Sequence, residues 1–343
     1  MGAAIAAALL GFVASGAVVV LAGIVLARSS DVIAARTRLG RVWVGSIFLA
    51  AATSLPELST DIAAVRIGAA DLAAGDIFGS SMANMLILAG IAVRPGVELF
   101  RRAARDHALS AALAIVMNSV AALAILSGSN TTLLGLEPGS LLLLLAYIAG
   151  TRMLFRHSVV AQRAGVTTEL AGAAATPPEA RGRPRLSLRG AIARFLVAAL
   201  MIVLAAPVFA HAAARLAQLT GITTSLIGTW LVGITTSLPE LATSVAAIRM
   251  GAVDLAIGNL LGSNAFNAIV FVPLDLAYGG ASLFDALSVV HVMTALVGIL
   301  MTAVALGAII YRSIVPGAHL EPAAFLMMAI YLIGLLLVCR GPG

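Results

Sequence analysis

A glutamate that follows a threonine and a serine occurs twice in this chain, each time within a long apolar helix predicted from the pattern. Residues 53–58 and 236–241 both read Thr-Ser-Leu-Pro-Glu-Leu. In a helix, Thr53 and Glu57 share one face, and Ser54 lies close by, three residues from Glu57. The proline lacks an N–H and loosens the preceding turn, which frees carbonyl oxygens there. Each copy therefore offers only oxygen donors.

The two copies belong to a longer duplication. Residues 45–88 align with residues 228–271 at a constant offset of 183, with 20 identities in 44 positions. Each copy also contains Gly-Ser-x-x-x-Asn, at residues 79–84 and 262–267, in which serine and asparagine share a helical face. Duplicated and interrupted apolar segments that carry ionisable residues indicate the binding site of a membrane transporter.

The donors in the two copies suit a hard cation. Together they supply two carboxylates and at least eight neutral oxygens. Ca²⁺ takes six to eight oxygen ligands, and Na⁺ could use the same donors. Neither copy contains a histidine or a cysteine, so the pattern does not fit zinc or copper.

The rest of the chain is built to cross a membrane. Hydrophobic residues make up 61% and charged residues 10%, and the mean hydropathy is +1.07. Apolar stretches of about 20 residues recur throughout. The pattern predicts an all-α polytopic membrane protein with ten transmembrane helices, near residues 3–27, 42–65, 70–93, 107–127, 133–154, 187–214, 222–248, 252–274, 284–311 and 322–340.

The arginines orient these predicted helices, and all 21 basic residues are arginines. With the N-terminus outside, 18 of them fall on the inner side and three on the outer side, Arg66, Arg215 and Arg340. The positive-inside rule therefore predicts that both termini face outward. This distribution explains the net charge of +6 without a nucleic-acid partner. The first helix lacks a positive leader, so we expect it to be retained.

The ten predicted helices divide into two halves of five. A segment rich in Ala, Pro, Gly and Arg, residues 155–186, predicts a flexible cytoplasmic linker between residues 1–154 and residues 187–343. Each half contains one copy of the duplication. Because five is odd, the second half is inverted relative to the first, about an axis in the membrane plane.

The motif pair resembles the α-repeats of the sodium/calcium exchangers, within the cation/calcium exchanger superfamily, in a prokaryotic form limited to the membrane domain. The likeness covers the ten-helix plan. It implies four cation subsites at the midplane, and a first and sixth helix that slide across the rest during alternating access. Carried over by position, it implies ligands at Thr53, Ser54, Glu57, Ser80, Asn84, Thr236, Ser237, Glu240, Ser263 and Asn267, with the carbonyls of Ala50 and Gly233.

Two positions depart from the family pattern. Many relatives carry Asp where this chain has Asn267, and Asn where this chain has Asp76. Asp76 precedes Ser80 by four residues, so it lies on the same face, where it could add a third charge to the ion path. Asp61 follows Glu57 on its own face and is expected in an outer vestibule or at a helix end.

Other polar residues near the predicted helix ends have plainer interpretations. Asp71 and Asp254, which are equivalent in the duplication, are expected to be helix N-caps. His211 and His291 are expected to be bystanders.

These features predict an antiporter that exchanges Ca²⁺ for Na⁺ across a prokaryotic plasma membrane. We expect inorganic cations and the lipid bilayer as its partners, no resident cofactor, and no enzymatic activity; no H-E-x-x-H motif of a metalloprotease occurs. No protein partner can be inferred. The alternative is a proton-coupled or other divalent-cation exchanger of the same fold. Proton-coupled relatives usually carry Gly-Asn-x-x-Glu in place of Thr-Ser-Leu-Pro-Glu, but Asn267 keeps this alternative open.

Overall fold

The described part of the chain is almost entirely helical. The structure is a computed structural model, and it describes residues 2–37, 39–94, 99–103, 106–128, 131–133, 135–171, 187–220, 236–279, 282–311 and 321–340. Its ten main helices are α1 Gly2–Thr37, α2 Arg41–Arg66, α3 Ala70–Ala92, α4 His107–Ser127, α5 Pro138–Ala171, α6 Leu188–Thr220, α7 Leu238–Arg249, α8 Val253–Tyr278, α9 Val290–Tyr311 and α10 Pro322–Arg340. Single-turn helices lie at Leu99–Arg102 and Leu283–Ala286.

These helices follow the predicted spans. Within the described residues, eight of them are long and apolar enough to cross a membrane, and α10 is apolar over a shorter stretch. The predicted span 222–248 lies largely on residues 221–235, which are outside the described part. Helix α5 continues to Ala171, into the segment assigned to the linker, and residues 172–186 are again outside the described part.

Burial distinguishes the motif helices from the peripheral helices α1, α5 and α6, and α4 is as buried as the motif helix α2. The most apolar window of α8 is 89% buried, that of α3 67% and that of α2 56%. The corresponding windows of α1 and α6 are 33% buried, and that of α5 only 17%. The motif helices therefore form the centre of the bundle, while α1, α5 and α6 leave most of their surface to lipid.

The two peripheral helices α1 and α6 pack closely against each other. The rings of Phe12 and Phe209 stack with their centroids 4.5 Å apart. A Cβ atom on Gly16 would lie only 2.8 Å from the ring of Phe209. The glycine thus allows the backbone of α1 to approach α6, as small residues do at helix interfaces in membranes.

Helix α2 crosses α8 at a glycine contact just before the first motif. A Cβ atom on Gly45 would lie 2.8 Å from the carbonyl oxygen of Leu255, and one on Gly262 would collide with the backbone of Ser46. Residues Val44–Leu49 wind as a π-helix at this crossing. Such wide turns are frequent at functional sites, and this one lies directly before Ala50.

Two Asp–His contacts join the halves at opposite ends of the bundle. Asp71 at the start of α3 meets His291 of α9 at 2.9 Å, and Asp254 at the start of α8 meets His107 of α4 at 3.0 Å. The N-cap prediction for the two aspartates is wrong, because the N-caps are Ala69 and Ala252. An aspartate two positions inside a helix can turn toward a neighbouring helix, and His291 is consequently no bystander.

A buried carboxylate fixes the turns at one end of the bundle. Glu137, before α5, accepts hydrogen bonds from the backbone N–H groups of Leu283 and Phe284 and from the hydroxyl of Ser282. Burial raises the pKa of the Glu137 carboxyl above its ordinary value, although these hydrogen bonds oppose the shift. Asp275 in turn accepts from the N–H of Glu137 at 2.8 Å.

Candidate ion-binding site

Glu57 lies in the middle of α2, at the centre of the bundle. Pro56 precedes it inside the helix, so the carbonyl of Ala52 lacks its usual N–H partner. The Glu57 side chain is 4% exposed, and neither carboxylate oxygen has a hydrogen-bond partner. A buried carboxylate without donors is expensive unless something else neutralises it.

Glu240 has a different local setting, although it occupies the equivalent position. Helix α7 begins at Leu238 with Ser237 as its N-cap, so Glu240 lies in the first helical turn. The sequence predicted a loosened turn before this glutamate within a long apolar helix, and the structure shows a helix start at that turn. Pro239 explains the difference, because a residue without an N–H is best tolerated in a first turn. Glu240 is fully buried and accepts a hydrogen bond from Ser54 at 3.2 Å.

Hydrogen bonds between the repeats follow the internal symmetry. The hydroxyl of Thr53 donates to the side-chain oxygen of Asn259 at 3.3 Å. The hydroxyl of Thr236 donates to Asp76 at the same distance, 3.3 Å. Thr53 and Thr236 are equivalent in the duplication, as are Asp76 and Asn259. Each repeat therefore contacts the other in the same way, and the two motifs face a common centre.

Further predicted donors gather around Thr53. Its hydroxyl lies 3.1 Å from the carbonyl oxygen of Ala50 and 3.5 Å from the hydroxyl of Ser263. The structure thus brings a predicted carbonyl ligand and hydroxyls from both repeats together. The carbonyl of Gly233, predicted as the equivalent ligand, lies outside the described residues.

Two asparagines that the sequence did not single out, Asn118 and Asn264, hold the Gly-Ser-x-x-x-Asn segment of the first repeat in place. Asn84 donates to the side chain of Asn264 at 3.0 Å, and Asn264 donates to the carbonyl of Ser81 at 3.1 Å. Asn118 of α4 donates to the carbonyl of Asn264 at 3.1 Å. These contacts leave the side-chain oxygen of Asn84 buried and without a partner. The signal in the sequence that could have identified Asn264 is its position directly after the predicted ligand Ser263.

Unpartnered oxygens are concentrated in the predicted ligand set. Within the described residues, eleven buried side-chain oxygens lack a hydrogen-bond partner, and seven of them belong to predicted ligands. They are both oxygens of Glu57 and one each of Ser80, Asn84, Ser237, Glu240 and Asn267. Buried polar atoms almost always have partners in proteins. Their concentration on the predicted ligand positions makes this cluster the candidate ion-binding site.

Four carboxyl groups approach this centre without a basic partner. They are Glu57, Asp61, Asp76 and Glu240, and no described arginine or histidine forms an ion pair with any of them. Asp61 is 1% exposed and lies beside Asp76, so it is buried within the bundle and does not line an open vestibule. Across the described chain, no three acidic, histidine or cysteine side chains lie close enough together to hold a metal ion by themselves.

Known proteins share both the sequence pattern and the fold. The family model described as sodium/calcium exchanger protein matches residues 7–149 and 190–340. The chain is 32% identical over 235 residues to the inner membrane protein YrbG of Escherichia coli (strain K12), and the aligned residues cover 67% of each protein. It is 38% identical over 112 residues to the sodium/calcium exchanger MaX1 of Methanosarcina acetivorans, which is 33% of this chain and 30% of that protein.

The same fold is found in a solved structure of the sodium-calcium exchanger NCX_Mj, soaked with 10 mM Na⁺ and zero Ca²⁺. The TM-score is 0.70 at 20% identity, over 97% of this chain and 99% of that one. Fold and site together define a polytopic helical transporter, and the predicted fold of ten transmembrane helices in two inverted halves is confirmed. The chain belongs to the sodium/calcium exchanger family.

Proposed function

We propose that this protein exchanges Ca²⁺ for Na⁺ across a prokaryotic plasma membrane by alternating access. The observation that carries the proposal is the concentration of buried, unpartnered oxygens on the ligand positions of two inverted repeats. Such a set offers a hard cation two carboxylates and several neutral oxygens, which is the chemistry that Ca²⁺ and Na⁺ require. The transported ions are the substrates; the protein uses no resident cofactor and is not an enzyme.

Charge balance explains why the two ions would exchange. Glu57 and Glu240 are both buried. Two unneutralised charges in this low-dielectric centre would oppose the conformational change that turns the site from one face of the membrane to the other. One Ca²⁺ or two Na⁺ would neutralise the pair, so either load permits the conformational change and the empty site does not. A third Na⁺ would make the exchange electrogenic, and Asp76, along the ion path, would help to hold it.

The proposed ligands divide into two groups in the structure. Oxygens without a partner are available to an ion directly, and they belong to Glu57, Ser80, Asn84, Ser237 and Asn267, with one of the two oxygens of Glu240. Thr53, Ser54, Ser263, Thr236 and Glu240 bond one another or their neighbours, and the first four would turn their hydroxyl protons away when a cation binds. The carbonyls of Ala50 and Gly233 complete the proposed set.

Helices α1 and α6 are the proposed moving elements. They pack against each other at Phe12, Gly16 and Phe209, and both leave most of their surface to lipid. Sliding of this pair across the buried motif helices would open the site to one face and close it to the other. The arginine distribution favours an orientation with both termini outside.

A proton-coupled exchanger of the same fold is the alternative. The observation that favours it is Asn267, which is 1% exposed and brings no charge to a site where many relatives carry an aspartate. With fewer carboxylates in the site, the identity of the coupling ion and the number of ions exchanged per Ca²⁺ can change while the fold stays the same.

Uptake of radiolabelled Ca²⁺ into proteoliposomes, under an imposed gradient of Na⁺, K⁺ or H⁺, tests the proposal. We expect an outward Na⁺ gradient to drive Ca²⁺ into the vesicles and a pH gradient alone to do little. Vesicles without protein, and vesicles with equal Na⁺ on both sides, are the controls. If protons drive the flux and Na⁺ does not, the alternative replaces the proposal.

A further inference from the structure

Asp61 and Asp76 form a carboxyl pair next to the proposed site. Asp61 lies on α2, one turn beyond Glu57, and Asp76 lies on α3, one turn before Ser80. Their carboxyl groups interact directly with each other across the α2–α3 helix pair. Asp61 is 1% exposed, and it and Asp76 each have one buried oxygen without a partner. The other oxygen of Asp76 accepts from Thr236 at 3.3 Å.

The equivalent place in the second repeat carries no charge, and its polar side chains are hydrogen-bonded to each other. There, the counterparts of Asp61 and Asp76 are Ser244 and Asn259, and the amide of Asn259 donates to the hydroxyl of Ser244 at 3.1 Å. The same helix pair thus carries an amide–hydroxyl bond in one repeat and two carboxyls in the other. Two adjacent buried carboxylates repel each other and cannot both remain charged without a counter-ion.

No protein group supplies that counter-ion among the described residues. None of the arginines or histidines found in ion pairs contacts Asp61 or Asp76. Glu57, one turn from Asp61 on α2, is itself 4% exposed, lacks partners on both oxygens, and adds to the negative charge. The arrangement therefore presents buried oxygens to a cation from outside the protein.

We propose that Asp61, Asp76 and Thr236 form a second cation subsite, which takes a hard divalent ion such as Ca²⁺. A divalent ion neutralises both carboxylates, and the hydroxyl and water complete its oxygen shell. Both aspartates lie one turn closer than Glu57 and Ser80 to residues 67–69, where α2 turns into α3. An ion that enters from that face meets the subsite before the centre. An ion from the other face meets only the neutral Ser244–Asn259 bond.

This subsite rests on the proposed function, since it serves the same cation, but binding measurements separate the two. The purified full chain would be titrated with radiolabelled Ca²⁺ at equilibrium as wild type, as E57Q/E240Q, as D61S/D76N and with all four changes. The D61S/D76N change installs the residues that the second repeat already carries, so it has a precedent within the same fold. Thermal unfolding of each variant checks that the bundle remains folded.

We expect E57Q/E240Q to keep weaker binding of about one Ca²⁺ per chain, and the fourfold variant to lose it. If E57Q/E240Q binds no Ca²⁺, or if the fourfold variant binds as much as E57Q/E240Q, there is no second subsite. If the fourfold variant does not fold, the triple variant D61N/E57Q/E240Q takes its place. Its affinity for Ca²⁺ should be at least about tenfold lower than that of E57Q/E240Q. An unchanged affinity overturns the subsite. If E57Q/E240Q binds as the wild type does, the central site fails instead.

Discussion

The two repeats place equivalent glutamates in unequal surroundings. Glu57 lies in mid-helix without a single donor, whereas Glu240 lies in the first turn of α7, accepts from Ser54 and benefits from the positive end of the helix dipole. In the proposed site, Glu57 therefore depends more on a bound cation than Glu240 does. Duplication preserved the oxygen donors, while divergence around them changed how much of their charge the protein balances by itself.

The residues one turn away from the glutamates also differ in charge between the two repeats. One turn away from Glu57, the first repeat has the Asp61–Asp76 carboxyl pair, and the second repeat has the neutral Asn259–Ser244 bond. The first repeat thus concentrates negative charge that the protein does not neutralise, and the second is internally satisfied. In the proposed mechanism, this difference gives the ion two unlike routes to one centre.

The largest effect is expected when either glutamate loses its charge. Glu57→Gln or Glu240→Gln keeps the volume of the side chain but removes a carboxylate that neutralises the ion. Loss of one partner from a buried charge pair costs about 3–5 kcal/mol, so Na⁺-driven Ca²⁺ uptake should fall more than about a hundredfold. Asp285→Asn, which removes an exposed carboxylate, is the matched control and should transport normally. Retained uptake in both glutamate variants would overturn the site.

A smaller effect is expected at the acidic pair. Asp76→Asn gives the first repeat the residue that the second repeat has at the equivalent position, Asn259. The Ca²⁺ or Na⁺ concentration for half-maximal exchange should rise several-fold, less than for loss of a glutamate, because a carboxylate one turn away acts over a longer distance. Adding Asn267→Asp should recover part of the loss. Unchanged ion dependences would mean that Asp76 is only a local polar contact.

The glycine crossing next to the second motif should affect stability. A methyl group on Gly262 would collide with the backbone of Ser46, so Gly262→Ala should lower the free energy of unfolding by about 1–3 kcal/mol. Gly307→Ala on α9 is the control, because its methyl group meets no described atom within 4 Å. Thermal unfolding in detergent measures both. Equal melting temperatures for the two variants would contradict the close approach of α2 and α8.

The smallest effects are expected at the two Asp–His contacts, which also differ between the ends. The side chain of His107 is fully buried, whereas that of His291 is 15% exposed and its partner Asp71 is 57% exposed. Replacing His107 by Ala should cost about 1–3 kcal/mol, and replacing His291 by Ala less than about 1 kcal/mol. Unfolding midpoints compare the two, and the reverse order would contradict this assignment.

The sequence could predict the features that depend on local pattern. Hydropathy located the helices that the structure describes, apart from the larger part of the span 222–248, and the duplication located Glu57 and Glu240 and the neutral donors around them. The contacts that depend on how distant helices meet could not be read from it. Asp71 and His291 are far apart in the chain, and the N-cap expectation failed because the aspartate found a partner across the bundle. The sequence predicted a loosened turn before both glutamates. Because the two motifs are identical, it could not show that the second copy begins a helix at Leu238 while the first lies inside one.

The central claim is that Glu57 and Glu240, from inverted repeats, hold the same ion. Equilibrium binding of radiolabelled Ca²⁺ tests it most directly, with D61S/D76N as the starting chain so that only the central site contributes. If the glutamates share an ion, Glu57→Gln and Glu240→Gln should each abolish high-affinity binding, and combining them should cause no further loss. A single variant that still binds half of the Ca²⁺ with unchanged affinity would contradict the claim.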